Sequence, residues 1–331
     1  MEQSNDWYRR ILIKDLRCGV THKTINKHSE MKVPVFECML ADDSKKHEKK
    51  MTGDVYVEPK LDGVRVITIC DVDKDEVKMF SRNGKELTNF PKILEQFDSM
   101  LDQMAESMVF DGEIMSDDFQ TLMREIHRKG GAKTDDAVLN IFDIIPLWAF
   151  KEGGYSASLQ TRKEMMDEYE YPSNISKVEY VKMNLSDDDG QKQFADYNKL
   201  CIDKGFEGIM VKPMSGPYEC KRSSLWLKVK PFIEVSLKVI DTEEGTGRNV
   251  GKLGALIVEG KDMDKFIKTN VGSGLTDADR ETFWKAKDKL IGQIVEIRAD
   301  AITQNQDSKD EWSLRFPRFL RFRGFEPGEK L

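Results

Sequence analysis

Little in this sequence points to a membrane, an export route or a protein-borne metal cage. No apolar stretch reaches the ~18–20 residues that cross a bilayer. The opening MEQSNDWYRR has neither the basic start nor the apolar run of a secretory leader. The five cysteines (Cys18, Cys38, Cys70, Cys201, Cys220) are scattered and form no CxxC pair. Reduced thiols in a cytoplasmic protein are therefore expected, and a zinc finger is not. The four histidines (His22, His28, His47, His127) make no HxxxH pattern, which removes the simplest histidine metal site. Internal repeats and low-complexity segments are also missing. So is net positive charge: the formal value is −7. That balance alone argues against a polyanionic partner, because phosphate binding needs local cations.

What is present is a chain of 331 residues, enough for two domains or three if one is small. With 39% hydrophobic and 34% charged residues, it suits a soluble globular protein with a wet surface. The cations that exist are clustered. Arg315, Arg318, Arg321 and Arg323 alternate with aromatics in RFPRFLRFR. Lys221 and Arg222 precede Lys228 and Lys230, and Arg124, Arg128, Lys129 and Lys133 form a third group. A charge run is usually a solvated face, so these patches decide nothing alone.

Helical apolar spacing at Tyr8, Ile11, Leu12 and Leu16 predicts a helix over 6–17 that stands almost alone. From about Val55, strands and amphipathic helices alternate. Strands are expected at 64–71, 77–81, 108–115, 137–145, 177–183, 208–213 and 225–230, and helices at 91–105, 117–128, 159–170 and 187–204. Ser186 or Asp187 can cap the last helix and Gly205 can end it. After Pro231 the character shifts, with strands expected at 234–241, 253–259, 264–271, 293–299 and 312–323. One helix is expected near 277–290, with capping-box spacing at Thr276 and Asp279. Five strands and a helix in about 100 residues suit a small Greek-key barrel of the oligonucleotide-binding type. The fold class is α+β.

The sharpest chemical feature is EPKLDGVR, Glu58 to Arg65, entering an apolar strand. Gly63 lets the backbone approach a ligand closely. A free lysine amine, with pKa near ~10.4, is a poor nucleophile at neutral pH. It becomes one when nearby cations disfavour its protonated form. Lys228, Lys230 and a bound metal are candidates for that neighbourhood.

The KxDGxR pattern from Lys60 to Arg65 resembles the signature of the covalent nucleotidyltransferases, and further motifs follow in the family's order. Ser81-Arg82-Asn83-Gly84, Asp111-Gly112-Glu113 and Phe142-Asp143 are similar to the second motif, the third and the adenine-stacking strand. Glu207-Gly208 through Lys212 resembles the fourth, Leu225 through Lys230 the fifth, and Arg323 sits where the sixth has its arginine. The chain thus looks like an ATP-dependent DNA ligase of the compact bacteriophage type. The resemblance implies an adenylation domain at 36–231 and an OB-fold domain at 232–331, after an N-terminal helical remnant at 1–35.

It also implies roles. Lys60 would be the nucleophile that takes AMP from ATP. Glu58 and the backbone at Lys60 would read adenine, Phe142 would stack on it, and Arg65 and Glu113 would hold the ribose. Lys212 would bind ATP, Lys228 and Lys230 would neutralise the α-phosphate, and Arg323 would act in the first step. Arg82 would bind the 5′-phosphate of nicked double-stranded DNA, while Glu207, Glu113 and Asp62 would hold Mg²⁺. A monomer working in the cytoplasm is expected. The competing readings are core packing for Phe142, a surface position for Arg82, and structural carboxylates for Glu113 and Glu207.

Similarity extends outside the motifs. Lys14 to Gly19 and Cys38 to Ala41 resemble the junction before the catalytic core of phage ligases. Gly245 to Gly247, Gly251 to Gly254 and Val271 to Leu275 resemble the ligase barrel. Two features depart from the pattern: the helical DNA-binding domain is reduced to one helix, and Glu326, Glu329 and Lys330 stand where the sixth motif usually has an acidic and a basic residue. RNA ligation, RNA capping and a non-catalytic binding protein are the alternatives. Labelling with α-labelled ATP or GTP separates them.

Overall fold

The computed structural model describes residues 19–20, 22–31, 35–115, 137–262, 264–304 and 311–324. The chain divides into two units, Met1–Val229 and Lys230–Leu331. The helices expected at 6–17 and 117–128, the Lys14–Cys18 segment, the Arg124–Lys133 cations and the tail from Glu326 lie outside the described residues.

The first unit is built on two five-stranded sheets. One runs in the order Leu40–Asp43, Arg222–Val229, Ile209–Pro213, Asp54–Pro59, Val181–Asn184. The other runs Glu76–Ser81, Val64–Asp71, Met108–Met115, Val138–Pro146, Ile175–Lys177. Successive side chains of a strand point to opposite faces, and this alternation sorts the core. Val66, Phe110 and Ile144 join Ile93 and Phe97 of the helix Pro91–Asp98. Their neighbours Ile67, Val109 and Ile145 instead join Met39, Tyr218 and Trp226 in a second cluster, between the sheets. Val55, Val57 and Ile209 pack under Phe194, Tyr197 and Cys201 of the helix Asp188–Asp203. The result is helix, sheet, sheet, helix. Each fully buried Val, Leu, Ile or Phe contributes about 1.5–3 kcal/mol to holding these layers together.

In the second unit, strands Ile233–Glu244, Leu253–Asp262 and Lys265–Val271 form a meander, Ile294–Ala299 and Arg318–Gly324 extend it on one side, and Trp312–Arg315 with Ala301–Gln304 extend it on the other, making seven strands. Phe319 N–H donates to the Ser273 carbonyl at 2.8 Å, bridging the last strand to the end of the third and closing the barrel. Gly274 is required there. Its φ is +86°, and an added Cβ would lie 2.5 Å from the Phe319 carbonyl oxygen. The helix Asp277–Lys285 follows the third strand with the expected capping box formed by Thr276 and Asp279. This is the strand order of an oligonucleotide-binding barrel, and the α+β class stands.

Several expected elements differ in detail. The expected strand 177–183 is two strands, Ile175–Lys177 and Val181–Asn184, one in each sheet. The segment 312–323 breaks at Phe316-Pro317, where Phe316 has φ +52° and proline offers no N–H to the ladder. The helix expected to reach 105 ends at Asp98 and continues as a single turn, Leu101–Gln103. Asp187 caps the helix Asp188–Asp203 through the Gly190 N–H at 2.7 Å, and Gly205 takes φ +88° after it. The strands Leu40–Asp43 and Asp54–Pro59 were not anticipated. The second carries Glu58.

Candidate active site

Lys60 follows the strand Asp54–Pro59, whose residues 55–58 are all buried. Its backbone is locked to the segment before the strand Ile209–Pro213. Lys60 N–H donates to the Gly208 carbonyl at 2.8 Å, and Glu207 N–H donates to the Lys60 carbonyl at 3.0 Å. Gly208 reaches φ +134°, a conformation strained for any other residue. This pairing brings the first and fourth motifs together across 147 positions, and the Lys60 ammonium forms an ion pair with Glu207 Oε2. Lys60 stays 22% exposed, so it is held and still reachable. Gly63 passes so close to the neighbouring strand that a Cβ would sit 2.2 Å from the Ile114 carbonyl oxygen.

Beneath Lys60 lies a cluster of buried charge. Glu58, 2% exposed, has Lys212 Nζ at 2.5 Å from Oε2 and Lys163 Nζ at 2.6 Å from Oε1. The Lys212 ammonium is also 4.6 Å from the centre of the Phe142 ring and 4.4 Å from that of Trp226. Burial lowers the Lys212 pKa, against the pull of Glu58. Phe142 sits at a β-bulge: Ile141 pairs with Gly112 and Asp143 with Asp111, leaving Phe142 as the extra residue. Its released carbonyl accepts from Lys163 Nζ at 3.0 Å. Gly112 makes the bulge possible, since a Cβ there would meet the Asn140 carbonyl oxygen at 2.8 Å.

The bulge also aims Asp143 into the core, where Arg162 grips it with two hydrogen bonds of 2.7 and 3.0 Å, both side chains wholly buried. Burial pushes the Asp143 carboxyl up, but Arg162 more than offsets this and holds it below the usual range.

Arg65 is similarly fixed. Nε and Nη2 donate to the two Asp111 oxygens at 2.6 Å each, and Nη2 also donates to the Met39 carbonyl at 2.8 Å. The Tyr218 hydroxyl donates to Asp111 at 2.6 Å, while Met39 N–H donates to that hydroxyl. The guanidinium lies 4.8 Å from the Phe142 ring centre. Glu113 is the strand partner of Arg65. Burial pushes its carboxyl up to about 7, moderated by Arg65 and Lys60.

The structure therefore gathers Lys60, Glu207, Glu58, Lys212, Phe142, Arg65 and Glu113 in one connected set. Lys228 stands opposite Met210 on the strand Arg222–Val229. Arg82 is exposed in the hairpin turn closed by Gly84 N–H on the Ser81 carbonyl. Lys230 and Arg323 belong to the second unit. Lys230 Nζ is 3.5 Å from Asp300, and Arg323 pairs with Glu296. No three acidic, histidine or cysteine groups converge into a metal cage among the described residues. Asp62, Glu113 and Glu207 thus do not form one by themselves.

Sequence reasoning missed Lys163, Arg162 and Tyr218, and gave no role to Asp111 and Trp226 within the motifs that contain them. Arg162 and Lys163 fall in a helix candidate where charges read as solvent-facing. The available signal was Asp143 inside the apolar run LNIFDII, which demands a buried cation. A cleft of about 460 Å³ opens beside this helix, lined by Lys163, Lys177 and Tyr180 among others.

A family model described as an ATP dependent DNA ligase domain matches residues 38–230, more than half of the chain. The chain belongs to the ATP-dependent DNA ligase family. A model described as a DNA ligase OB-like domain matches residues 244–323 of this ligase chain. A DNA ligase of Haloarcula marismortui is 31% identical over 294 residues, covering 81% of this chain and 51% of that protein. One of Methanococcus maripaludis is 27% identical over 354 residues, covering 92% and 60%. The chain spans about half the length of the first of these curated relatives. Both are archaeal proteins, so they lend nothing to a phage origin. The solved structure named Pmar-Lig_Pre shares 46% identity at a TM-score of 0.87, over 97% of this chain and 77% of that one. A solved Lig E DNA ligase, described as DNA binding with a minimal scaffold, has a TM-score of 0.62 at 20% identity. It covers 88% of this chain and all of its own, and that likeness is one of fold.

Proposed function

We propose that this chain seals 5′-phosphate/3′-hydroxyl nicks in duplex DNA, using ATP. In the first step Lys60 Nζ, having given up a proton, attacks the α-phosphorus of ATP; a P–N bond forms and pyrophosphate leaves. The AMP then passes to the 5′-phosphate of the nick, breaking the P–N bond and freeing Lys60. Last, the 3′-hydroxyl attacks that 5′-phosphorus, closing the strand and releasing AMP.

One observation carries this reading. Lys60 is fixed by the Gly208 and Glu207 backbone bonds two residues beyond Glu58, which is paired with Lys212 against the Phe142 ring. Phosphoryl transfer is mainly positioning and charge neutralisation, so a held amine beside buried, preorganised charge is what it needs. Glu58 then faces the adenine edge, Phe142 its ring, and Arg65 with Glu113 the ribose. Lys212 binds ATP by holding Glu58, Lys228 and Lys230 neutralise the α-phosphate, Arg323 serves the first step, and Arg82 takes the DNA 5′-phosphate. Mg²⁺ characteristically uses one or two carboxylates and completes its shell with phosphate oxygens and water. Such nucleotide-borne binding needs no preformed cage, and Glu207, Glu113 and Asp62 are the carboxylates that would hold the ion. Bound there, the ion would neutralise phosphate charge. The organisation we propose is the compact bacteriophage type, working as a cytoplasmic monomer.

The test is incubation with α-labelled ATP and magnesium, followed by a nicked duplex. The wild-type chain should carry acid-labile AMP and seal the nick. Lys60→Ala should do neither. Label retained on Lys60→Ala would move the nucleophile elsewhere, and labelling by GTP in place of ATP would overturn the adenylation reading.

A further inference from the structure

We propose that Lys163 is a positioning residue for base selection, holding Glu58 so that Oε1 is left as the acceptor for an exocyclic amine on the nucleotide base. This rests on the reading above, in which the base lies between Phe142 and Glu58.

Three features of the geometry support it. First, Glu58 Oε1 is held by the Lys163 ammonium in an ion pair at 2.6 Å and has no further hydrogen-bond partner among the described residues. A buried carboxylate oxygen with an unused lone pair is costly unless a ligand supplies the donor. Flanked by two ammonium groups, a carboxylate can only accept, and so suits a 6-amino group and repels a 6-carbonyl.

Second, the two lysines tie together strands of different sheets. Lys163 joins Glu58 to the Phe142 carbonyl, and Lys212 joins Glu58 to the Phe142 ring face. The spacing between the ring that stacks and the oxygen that reads an edge is thereby set by Lys163 from one side and Lys212 from the other.

Third, charge pairing within the fold does not call for Lys163. Glu58 already has Lys212, and Asp143 already has Arg162. Lys163, 2% exposed with its ammonium 4.8 Å from the Tyr180 ring centre, is a third buried cation against two carboxylates. A buried surplus charge opposes folding, and its retention points to a task at the site.

The experiment compares lysyl-nucleotide formation from ATP and from purine riboside triphosphate, which lacks only the 6-amino group. It uses the full chain and the variants Lys163→Met, Lys163→Gln and Lys163→Arg, with thermal unfolding in parallel. The wild type should favour ATP by about tenfold or more in kcat/KM, since a site built for an N–H donor rejects the analogue without it. In Lys163→Met and Lys163→Gln that ratio should fall toward one, chiefly through a higher KM for ATP, without a lower Tm. Lys163→Arg should restore it. Equal losses on both nucleotides, with the ratio kept, would make Lys163 a structural lysine and overturn the inference. If Lys163→Met does not fold, Lys163→Gln decides by the same ratio. Failure of the wild type to take label from any nucleotide would instead sink the ligase reading itself.

Discussion

The two units handle charge in opposite ways. In the first, Glu58, Asp111, Asp143, Arg162, Lys163 and Lys212 are all buried and joined in close pairs. In the second, the barrel core is aliphatic, Glu296 is the buried charge among the described residues, and the cations stand outside, with Arg321 61% and Arg318 47% exposed. Buried charge is rigid and weakly screened, which suits a small polyvalent ligand that must be held to a fraction of an ångström. Exposed charge is screened and adaptable, which suits a polyanion gripped at many points. The contrast matches the division of labour in the proposed function, with a nucleotide held in the first unit and nucleic acid met by exposed cations.

The contrast can be broken most forcefully in the core. Asp143→Ala would strand the wholly buried Arg162, and should cost about 3–5 kcal/mol in urea unfolding. Glu234→Ala, which removes the exposed partner of Arg298, should cost less than about 1 kcal/mol. Similar losses from the two would erase the distinction between the units. Salt should separate them next. With ~5–8 phosphate contacts, nick sealing at limiting enzyme should drop about 10³-fold between ~50 and ~200 mM salt. Self-adenylation should change far less, and a parallel decline would show salt acting on the fold or on ATP.

Arg323 sharpens the comparison from the other side. Arg323→Ala should slow lysyl-AMP formation by about 10²-fold and leave the sealing of a pre-adenylated nick nearly unchanged. Equal loss in both assays would assign Arg323 to DNA contact or folding. The last effect concerns Glu113. Its carboxyl rises from an ordinary 4.5 to about 7 in the fold, so the folded state holds the proton that the unfolded chain releases. Stability should therefore fall as pH rises through the window from 4.5 to 7, by about 3 kcal/mol at most. Glu113→Gln should remove that slope. An unchanged slope would mean that Glu113 is better solvated than its burial implies.

The grouping of the site residues was partly legible in the sequence. The ordered motifs of the family resemblance named Lys60, Glu207, Lys212 and Phe142 as candidates, and the structure pairs Lys60 with Glu207 and sets Lys212 against Phe142. The α+β class and the barrel followed from the succession of strand and helix patterns, while the two facing sheets did not. Lys163 was not legible, since a lysine in an amphipathic helix looks the same whether it faces water or a buried carboxylate. The strand carrying Glu58 was missed for a related reason: four successive buried residues give no alternation.

The sequence by itself determined the family, through residue types in a fixed order, and the two-part architecture, through a change of pattern near Pro231. Only the tertiary structure decided who partners whom. Lys60 meets Glu207 from 147 positions away and Arg65 meets Asp111 from 46, while a one-residue bulge turns Phe142 and Asp143 to their separate tasks. Periodicity reports which face a residue occupies. It carries no record of what waits on that face, and the energy of a buried charge depends on that neighbour.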